Sequence, residues 1–404
     1  MRKQILYISL ALICFSCKKG TPLKPIFPFN GTVVKFTPVS VTKTSNKKVF
    51  VHLMPWFDTP ESIGQWGIHW TMGLGSTYPN TTANGKRNIA THYYPLIGPY
   101  ASKDYAVIDY QLQMMKLSGI DGVFIDWSGT SAASEDLAYV KLNTDAIVAR
   151  LGIAGMKYAI VYEDQYLKTY SDPIARARID MNYLKDHFFN DSNYEKIGAA
   201  PLLMVFGPQL LVGAQWDSAF SVLPTKPAFL PLWGQSYKAS TTASGEFAWI
   251  NQDNQASLNR FYGNTYTGMK IASAYPGFNS FYKEGGWPGP QWIIAANGVA
   301  NFEQTLDLAL ATSYNYLQLC TWNDYGEGTM LEPTEEFKYT LLTTLQQKLG
   351  VSDLTQSDLE AAARLYALRK ANAGNTDALK KLDQGFYYIA SLQMDKAKAL
   401  LASF

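Results

Sequence analysis

The most constraining feature of the sequence is a series of eight short, apolar segments that alternate with helical patterns. Such continuous runs are typical of strands buried on both faces of a parallel sheet, whereas half-exposed strands alternate apolar and polar residues. The helical patterns supply the crossover connections that parallel strands require. The runs lie at residues 49–56, 122–127, 158–163, 201–206, 228–233, 247–250, 270–275 and 316–322.

Eight such strands with intervening helices favour an α/β fold, a (β/α)8 TIM barrel. An open doubly wound sheet is the alternative, but it usually binds a nucleotide, and the chain has neither Gly-x-Gly-x-x-Gly nor a Walker loop. Residues from 351 onward are rich in Ala, Leu, Lys, Asp and Gln with helical periodicity. We therefore predict a signal peptide at 1–17, a tether at 18–47, a catalytic barrel at 48–350 and a helical C-terminal segment at 351–404.

The N-terminus predicts the location of the protein. Arg2 and Lys3 precede an apolar stretch that is too short for a permanent membrane span, which is typical of a secretory signal. Its end resembles a bacterial lipobox, with cleavage before Cys17 and a lipid on that residue. A Cys-x-x-Cys redox pair of Cys14 and Cys17 is the alternative, but no βαβ context surrounds it. We expect a lipid-anchored protein of the bacterial cell envelope, periplasmic or outer-membrane, with the membrane face left open.

The composition narrows the class of partner. The formal net charge is +2, only 17% of residues are charged, and no basic stripe is present, which argues against nucleic acid. The chain contains 26 Tyr, 20 Phe and 10 Trp. Aromatic rings can stack on the C–H faces of neutral sugars, although they also fill ordinary cores.

The expected barrel predicts where a functional site lies, because active sites of such barrels lie at the C-terminal ends of the strands. Acidic and aromatic residues are concentrated there. Each alone has a plain structural explanation, such as a helix cap or a core residue, but together they predict an acidic, aromatic-lined cleft. They are Trp56, Asp58, Asp126, Trp127, Glu163, Asp164, Trp233, Trp249, Tyr275, Trp322, Asn323, Asp324 and Glu327.

The last predicted strand leads into the motif at residues 321–329, which carries Asp324 and Glu327 three positions apart. Gly326 and Gly328 allow the backbone to turn sharply between and after these acids. Paired carboxyl groups suit glycosidic cleavage, in which one acid protonates the leaving oxygen and the other acts on the opposite side of the sugar. The alternative is that both acids only cap the next helix, expected near Glu335.

The motif resembles those of two glycoside hydrolase families. Residues 322–327, Trp-Asn-Asp-Tyr-Gly-Glu, are similar to the closing motif of family 71, the endo-α-1,3-glucanases. The following residues, through Glu332 and Pro333, are similar to the tail of that motif in family 99, the endo-α-mannosidases and endo-α-mannanases. Segments at 52–57, 94–104, 119–127 and 162–163 follow the family 99 order, so the resemblance covers roughly residues 48–345.

The resemblance implies roles for individual residues. Glu327 would be the general acid, and Asp324 would act on the 2-hydroxyl of the sugar or on the attacking water. Family 99 has Glu where this chain has Asp324, one methylene shorter, which leaves the 2-hydroxyl role and retention versus inversion open. Glu163 would bind sugar or act as an electrostatic partner. Apart from the resemblance, we expect His92, within the segment Thr-His-Tyr-Tyr at 91–94, to donate a hydrogen bond to a sugar, with a structural role as the alternative. Further predicted sugar contacts are Asp126, Trp56, Trp127, Trp233, Trp249, Tyr275, Trp322 and Asn323.

No cofactor is expected, and the four histidines show no close metal-binding spacing such as His-Glu-x-x-His. The sequence thus predicts a monomeric glycoside hydrolase that acts on α-linked oligo- or polysaccharides. The alternative is a degenerate hydrolase that binds glycan without cleaving it, but both acids are present. A structural lipoprotein would not need acids at strand ends. The glycan, its linkage and internal versus terminal cleavage remain open.

Overall fold

The computed structural model describes residues 29–131 and 134–404. The predicted signal peptide, Cys17 and the first part of the predicted tether lie outside these residues. Across the part of the chain that is described, no helix combines the length and apolar character needed to cross a membrane.

In these residues, eight parallel strands form a closed barrel. Neighbours in the chain pair from β1 to β5 and from β6 to β8, and Lys48 of β1 lies opposite Tyr316 of β8. Two single parallel bridges, one of them joining Leu232 to Phe247, complete the ring between β5 and β6. The predicted (β/α)8 barrel is therefore confirmed. The strands are β1 (Lys48–Leu53), β2 (Gly122–Trp127), β3 (Lys157–Tyr162), β4 (Ala200–Val205), β5 (Ala228–Pro231), β6 (Gly245–Phe247), β7 (Met269–Ala274) and β8 (Tyr316–Leu319).

Helices follow the strands and cover the outside of the barrel. Their ends carry recognisable capping signals: Asp104 accepts a hydrogen bond from the Ala106 amide at one start, and Gly155 ends another helix in the left-handed conformation. Besides two single-turn helices in the connection after β1, Pro60–Ile63 and Ile68–Thr71, the helices are α1 (Tyr105–Leu117), α2 (Glu135–Ala154), α3 (Pro173–His187), α4 (Ala214–Phe220), α5 (Ser236–Ala239), α6 (Gln255–Gly263), α7 (Ala300–Leu310), α8 (Thr340–Leu349), α9 (Gln356–Ala371), α10 (Thr376–Ala390) and α11 (Met394–Leu401).

The interior of the barrel fixes which side chains can reach the cleft. Phe50 and Phe124 stack inside it with ring centroids 4.6 Å apart, and His52 lies edge-on to Phe124. Successive side chains on a strand point to opposite faces. On β2, therefore, Asp126 shares the inner face with Phe124, whereas Trp127 points outward to the helices.

The C-terminal helices are attached to the barrel through a buried ion network. Asp109 on α1 accepts hydrogen bonds from Arg150 on α2 and from Arg369 on α9. Arg369 also binds Asp383 on α10 at 2.8 Å. The helical C-terminal segment thus packs on the first two helices of the barrel.

The described part of the predicted tether, residues 29–47, is extended and held against the domain. The Val34 amide donates to Gln384 on α10 at 2.6 Å, and the Val39 amide donates to the Ala390 carbonyl at 3.1 Å. Lys43 forms an antiparallel bridge with Val351 just after α8. This stretch therefore runs along the C-terminal helices before it enters β1, instead of hanging free as a tether would.

Candidate active site

The loop after β8 folds back on itself and brings its two acids together. The Asp324 amide donates to Thr321 Oγ1 at 2.8 Å, and the Glu327 amide donates to Asp324 Oδ1 at 3.0 Å. Gly328 has a φ of +68°, and a Cβ there would lie 2.6 Å from the Asn279 carbonyl oxygen. Glycine is thus required for the close approach. The next helix begins at Thr340, so the acids do not cap it, and the helix-cap alternative is wrong.

Burial separates the pKa values of the two acids. Burial, followed by the negative charge of Asp324, raises the pKa of Glu327 to about 8, while a hydrogen bond from Tyr282 opposes the shift. Burial also raises the pKa of Asp324 to about 6, but the Glu327 amide and His69 hold it lower. Burial therefore favours the protonated form of both acids, and it does so more strongly for Glu327 than for Asp324.

Two further predicted acids share this site. Burial, then the negative charges of Glu163 and Asp324, raise the pKa of Asp126 well above its ordinary value. Burial raises the pKa of Glu163 to about 7, opposed by a hydrogen bond from Gln165. The ends of β2, β3 and β8 thus bring Asp126, Glu163, Asp324 and Glu327 to one cleft.

Asp164 and Asp58, which also follow strands, have structural roles. Asp164 accepts hydrogen bonds from three consecutive backbone amides, at residues 209, 210 and 211, each at 2.8 Å. Asp58 accepts hydrogen bonds from Ser62 at 2.9 Å and from Asn143 at 3.3 Å. Both acids fix the loops that surround the cleft.

Aromatic side chains from two long loops surround the acids. Tyr282, from the loop between β7 and α7, donates to Glu327 Oε1 at 3.0 Å. The half-buried Trp56 stacks on His69 with ring centroids 4.3 Å apart. Trp287 lies edge-on to the same His69 ring, with centroids 5.6 Å apart. Burial, then the charges of Glu163 and Asp126, raise the pKa of the Tyr166 phenol, which places it beside those acids.

Three other predicted sugar contacts are not fully buried. His92 is exposed, with Nε2 at 3.3 Å from the Ser280 carbonyl oxygen, near the loop that carries Tyr282. Trp249 is half-buried and lies edge-on to His52 at 4.7 Å. Trp233 is half-buried and packs on Phe261 at 5.6 Å. Each keeps some exposed ring surface.

Four of the predicted sugar contacts are buried in the protein interior, so the prediction that they bind sugar is wrong. Trp127 faces outward and is fully buried against Tyr183 on α3. Trp322 and Tyr275 are also fully buried. The Asn323 side chain links the end of β8 to the end of β1, because its oxygen accepts a hydrogen bond from the Met54 amide and its nitrogen donates to the Met54 carbonyl. These residues support the cleft without lining it.

Sequence reasoning missed several residues of the site, namely His69, Tyr166, Tyr282 and Trp287. A signal was available for two of them, because Tyr282 and Trp287 lie in an aromatic, Gly- and Pro-rich loop after the seventh predicted strand. Their approach to the acids depends on loop pairing, including the Phe281 amide donating to the Gly326 carbonyl at 2.8 Å.

A buried carboxyl group supports the acid loop from behind. Glu332 accepts hydrogen bonds from Tyr100 at 2.8 Å, Gln111 at 2.8 Å and Tyr325 at 2.9 Å. Burial raises the pKa of Glu332 to about 7, and the three donors oppose the shift. Since Tyr325 lies between the two acids of the motif, this network fixes the backbone that presents them.

The described residues contain no group of three or more His, Cys, Asp or Glu side chains that could hold a metal ion.

Comparisons with known proteins also indicate a glycoside hydrolase. The chain matches no protein-family model. It is 21% identical over 318 residues, 70% of each chain, to a zebrafish (Danio rerio) glycoprotein endo-α-1,2-mannosidase-like protein. Glycoprotein endo-α-1,2-mannosidases of Xenopus laevis and rat (Rattus norvegicus) are 24% and 26% identical, over 89 and 96 residues. These two matches span only about a fifth of the relatives' length.

Solved structures share the fold. A family 99 endo-α-mannosidase from Bacteroides thetaiotaomicron superposes with a TM-score of 0.58 at 16% identity, covering 78% of this chain and 98% of the enzyme. A protein described as glycoside hydrolase-like superposes with a TM-score of 0.55 at 13% identity, covering 78% of this chain and 97% of its own. The chain thus has the fold of these proteins, and its predicted resemblance to the family 99 endo-α-mannosidases is confirmed.

Proposed function

We propose that the protein is a glycoside hydrolase that cleaves α-linked glycans with Glu327 and Asp324 as its catalytic pair. The observation that carries the proposal is the pair itself: the Glu327 amide donates to Asp324 Oδ1 at 3.0 Å, and burial raises the pKa values of both carboxyl groups, more strongly for Glu327. Pairs of acids whose environments push their pKa values apart can serve as acid and base at one pH. The endo-α-mannosidase names of the relatives support the same reaction class.

Glu327 acts as the general acid. Its Oε1 accepts a hydrogen bond from Tyr282, and its buried Oε2 has no hydrogen-bond partner among the described residues. A leaving oxygen placed beside Oε2 would satisfy that atom and receive the proton. Asp324 acts on the opposite side of the sugar, on water or on the 2-hydroxyl. Asp126 and Glu163 accept hydrogen bonds from sugar hydroxyls.

The substrate class follows from the relatives and from the motif. We place α-mannan-type glycans first, because the named relatives are endo-α-mannosidases. An α-1,3-glucan is second, because residues 322–327 carry the family 71 form of the motif. The half-buried Trp56 and the nearby Trp287 offer ring surface to a sugar. We further propose that a lipid on Cys17 anchors the enzyme in the cell envelope.

The decisive experiment compares wild type with Glu327→Gln and Asp324→Asn on α-mannan, α-1,3-glucan and α-mannosyl-glucose oligosaccharides. Loss of a general acid typically costs ~10²–10⁴-fold in rate. Glu327→Gln should therefore abolish cleavage while glycan binding persists, because the amide keeps the shape but delivers no proton. The exposed Glu360→Gln on α9 is the matched control and should retain full activity.

Substrates with good leaving groups separate the two roles. An aryl or fluoride glycoside needs little acid assistance, so it should rescue Glu327→Gln more than Asp324→Asn. The product anomer, followed by NMR, decides between retention and inversion. Equal activity of wild type and Glu327→Gln on a natural glycan would rule out the assignment. Glycan binding without cleavage by wild type would instead favour the non-catalytic alternative.

A further inference from the structure

A second cavity lies at the other end of the barrel. It has a volume of about 330 Å³ and is lined by the N-terminal segment and by residues at or before the starts of strands. Lys48 begins β1, Lys157 begins β3, and Asp121 directly precedes β2. The four acids of the proposed active site lie at the strands' opposite ends, so this cavity is separate from that site.

The cavity carries an excess of positive charge. Five lysines line it against one aspartate and one glutamate. Both carboxylates already have a lysine partner, because Lys43 pairs with Asp121 and Lys48 pairs with Glu195 at 2.6 Å. Three ammonium groups therefore remain without a carboxylate partner among the described residues.

The three remaining lysines differ in the hydrogen-bond acceptors that their ammonium groups contact. Lys47 donates to the backbone carbonyls of Thr312 and Tyr314, each at 2.7 Å, and Lys157 donates to the Ser192 carbonyl at 2.7 Å. Lys116 is only 3% exposed, and its Nζ forms no hydrogen bond with the described residues but is not fully buried, because it borders the cavity. Its Nζ lies near Gly155, another residue of the cavity wall.

An ammonium group on a largely buried side chain is costly when it has no anionic partner, and among the described residues the only direction from which Lys116 Nζ can be reached is the cavity. Burial lowers the pKa of Lys116 to about 8, and the charge of Asp121 opposes the shift. The group is therefore still mostly charged at pH 7. An anion in the cavity would supply both the missing charge and the missing hydrogen-bond acceptors.

We propose that this cavity binds a phosphate-type oxyanion, with Lys116 as its buried ligand and with Lys47 and Lys157 nearby. Lysine binds phosphate as a point charge, and the volume is at the lower end of small-molecule sites. The anion can be a free phosphate or the head group of a phospholipid. The second source has a structural reason: residues 40–47, which line the cavity, connect the barrel to the predicted lipid anchor.

The test uses the full-length chain and inorganic phosphate, followed by calorimetric titration and by the thermal midpoint with and without phosphate. Lys116→Met keeps most of the side-chain volume and removes the charge. It should unfold at the same or a higher temperature without phosphate, and its affinity for phosphate should fall at least ~10-fold. Lys157→Met, at an exposed position, should weaken binding several-fold and covers the case in which Lys116→Met does not fold. Lys380→Met, an exposed change on α10, is the control and should bind as wild type does.

Vesicles distinguish the two sources of the anion. Wild type and Lys116→Met are compared on phosphatidylglycerol and on phosphatidylcholine vesicles, so that the contribution of any lipid anchor cancels. Tighter binding of wild type than of the variant to phosphatidylglycerol alone, displaced by phosphate, identifies a head group. Phosphate binding without this difference identifies a free phosphate. If neither probe binds in a way that depends on Lys116 or Lys157, the proposal is overturned. Glycan cleavage by Lys116→Met should be unchanged, so this result is independent of the proposed hydrolase activity.

Discussion

The hydrogen bond from Tyr282 to Glu327 is open to a quantitative test through the Tyr282→Phe variant. This bond, at 3.0 Å, lowers the pKa of Glu327, because it stabilises the carboxylate more than the neutral acid. Without the Tyr282 hydroxyl, Glu327 Oε1 has no hydrogen-bond donor, and Oε2 already has none among the described residues. Hydrogen bonds to charged groups contribute about 1.5–3 kcal/mol, and one pKa unit corresponds to about 1.4 kcal/mol. The pKa of Glu327 should therefore rise by roughly 1–2 units.

The proposed mechanism converts this shift into a pH profile. Glu327 must be protonated to act as the acid, so the alkaline limb of kcat/KM follows its pKa in the free enzyme. In wild type the limb should fall near pH 8, and in Tyr282→Phe near pH 9 or above. The acid limb, set by Asp324 near pH 6, should stay in place. The measurement is kcat/KM on an α-linked oligosaccharide between about pH 4.5 and 10.

The exposed Tyr237→Phe is the matched control and should reproduce the wild-type profile. An alkaline limb that stays in place in Tyr282→Phe, or that moves to lower pH, would refute the reasoning. A loss of rate without any movement of the limb would show that Tyr282 serves the substrate and not the proton on Glu327.

Four other variants test the remaining parts of the structure. Glu327→Gln should be about 2–4 kcal/mol more stable than wild type to urea at pH 9 and equal at pH 4, because a raised folded-state pKa gives stability that is lost as pH rises through about 8. Glu332→Gln should lower kcat ~10–100-fold with little change in KM and an unchanged circular dichroism spectrum, because the amide cannot accept all three hydrogen bonds that fix the acid loop. Trp287→Ala should raise KM ~10-fold, whereas Trp127→Phe should leave KM unchanged, as kinetics on one substrate would show. Arg369→Ala should lower the free energy of unfolding by about 3 kcal/mol in urea titration, because it leaves its buried aspartate partner with one cation fewer.

The barrel was predictable because continuous apolar runs and helical periods repeat along the chain. All eight strands lie where the runs are, but their ends differ. The first run, 49–56, is a strand only at Lys48–Leu53, and Pro55 has no amide hydrogen to donate to a ladder. The weakest run, 247–250, became Gly245–Phe247. Apolar composition thus marked the strands, while backbone chemistry set their ends.

The candidate site was predictable in its acids but less so in its walls. Asp126 and Trp127 are consecutive in β2, and successive side chains of a strand point to opposite faces. The sequence alone could therefore have shown that only one of the two residues faces the cleft. His69, on the single-turn helix Ile68–Thr71, and Tyr282 belong to long connections whose approach is set by backbone pairing, such as the Gly73 amide donating to the Gly285 carbonyl. Such pairings leave no periodic pattern in the sequence. The sequence predicts a tether at 18–47, because the hydrogen bonds that hold Val34 and Val39 against the C-terminal helices leave no periodic pattern either.

The charge balance of the cleft links its architecture to its chemistry. No lysine or arginine among the described residues forms an ion pair with Asp126, Glu163, Asp324 or Glu327. Without a cation, burial can be tolerated only if the cluster retains protons, since several ionised carboxylates would repel one another. Burial accordingly raises the pKa values of all four acids, and the pKa of Glu327 is raised further by the charge of Asp324. A neutral glycan can enter such a site without adding charge, whereas an anionic group placed beside the acids would raise their pKa values and remove the base.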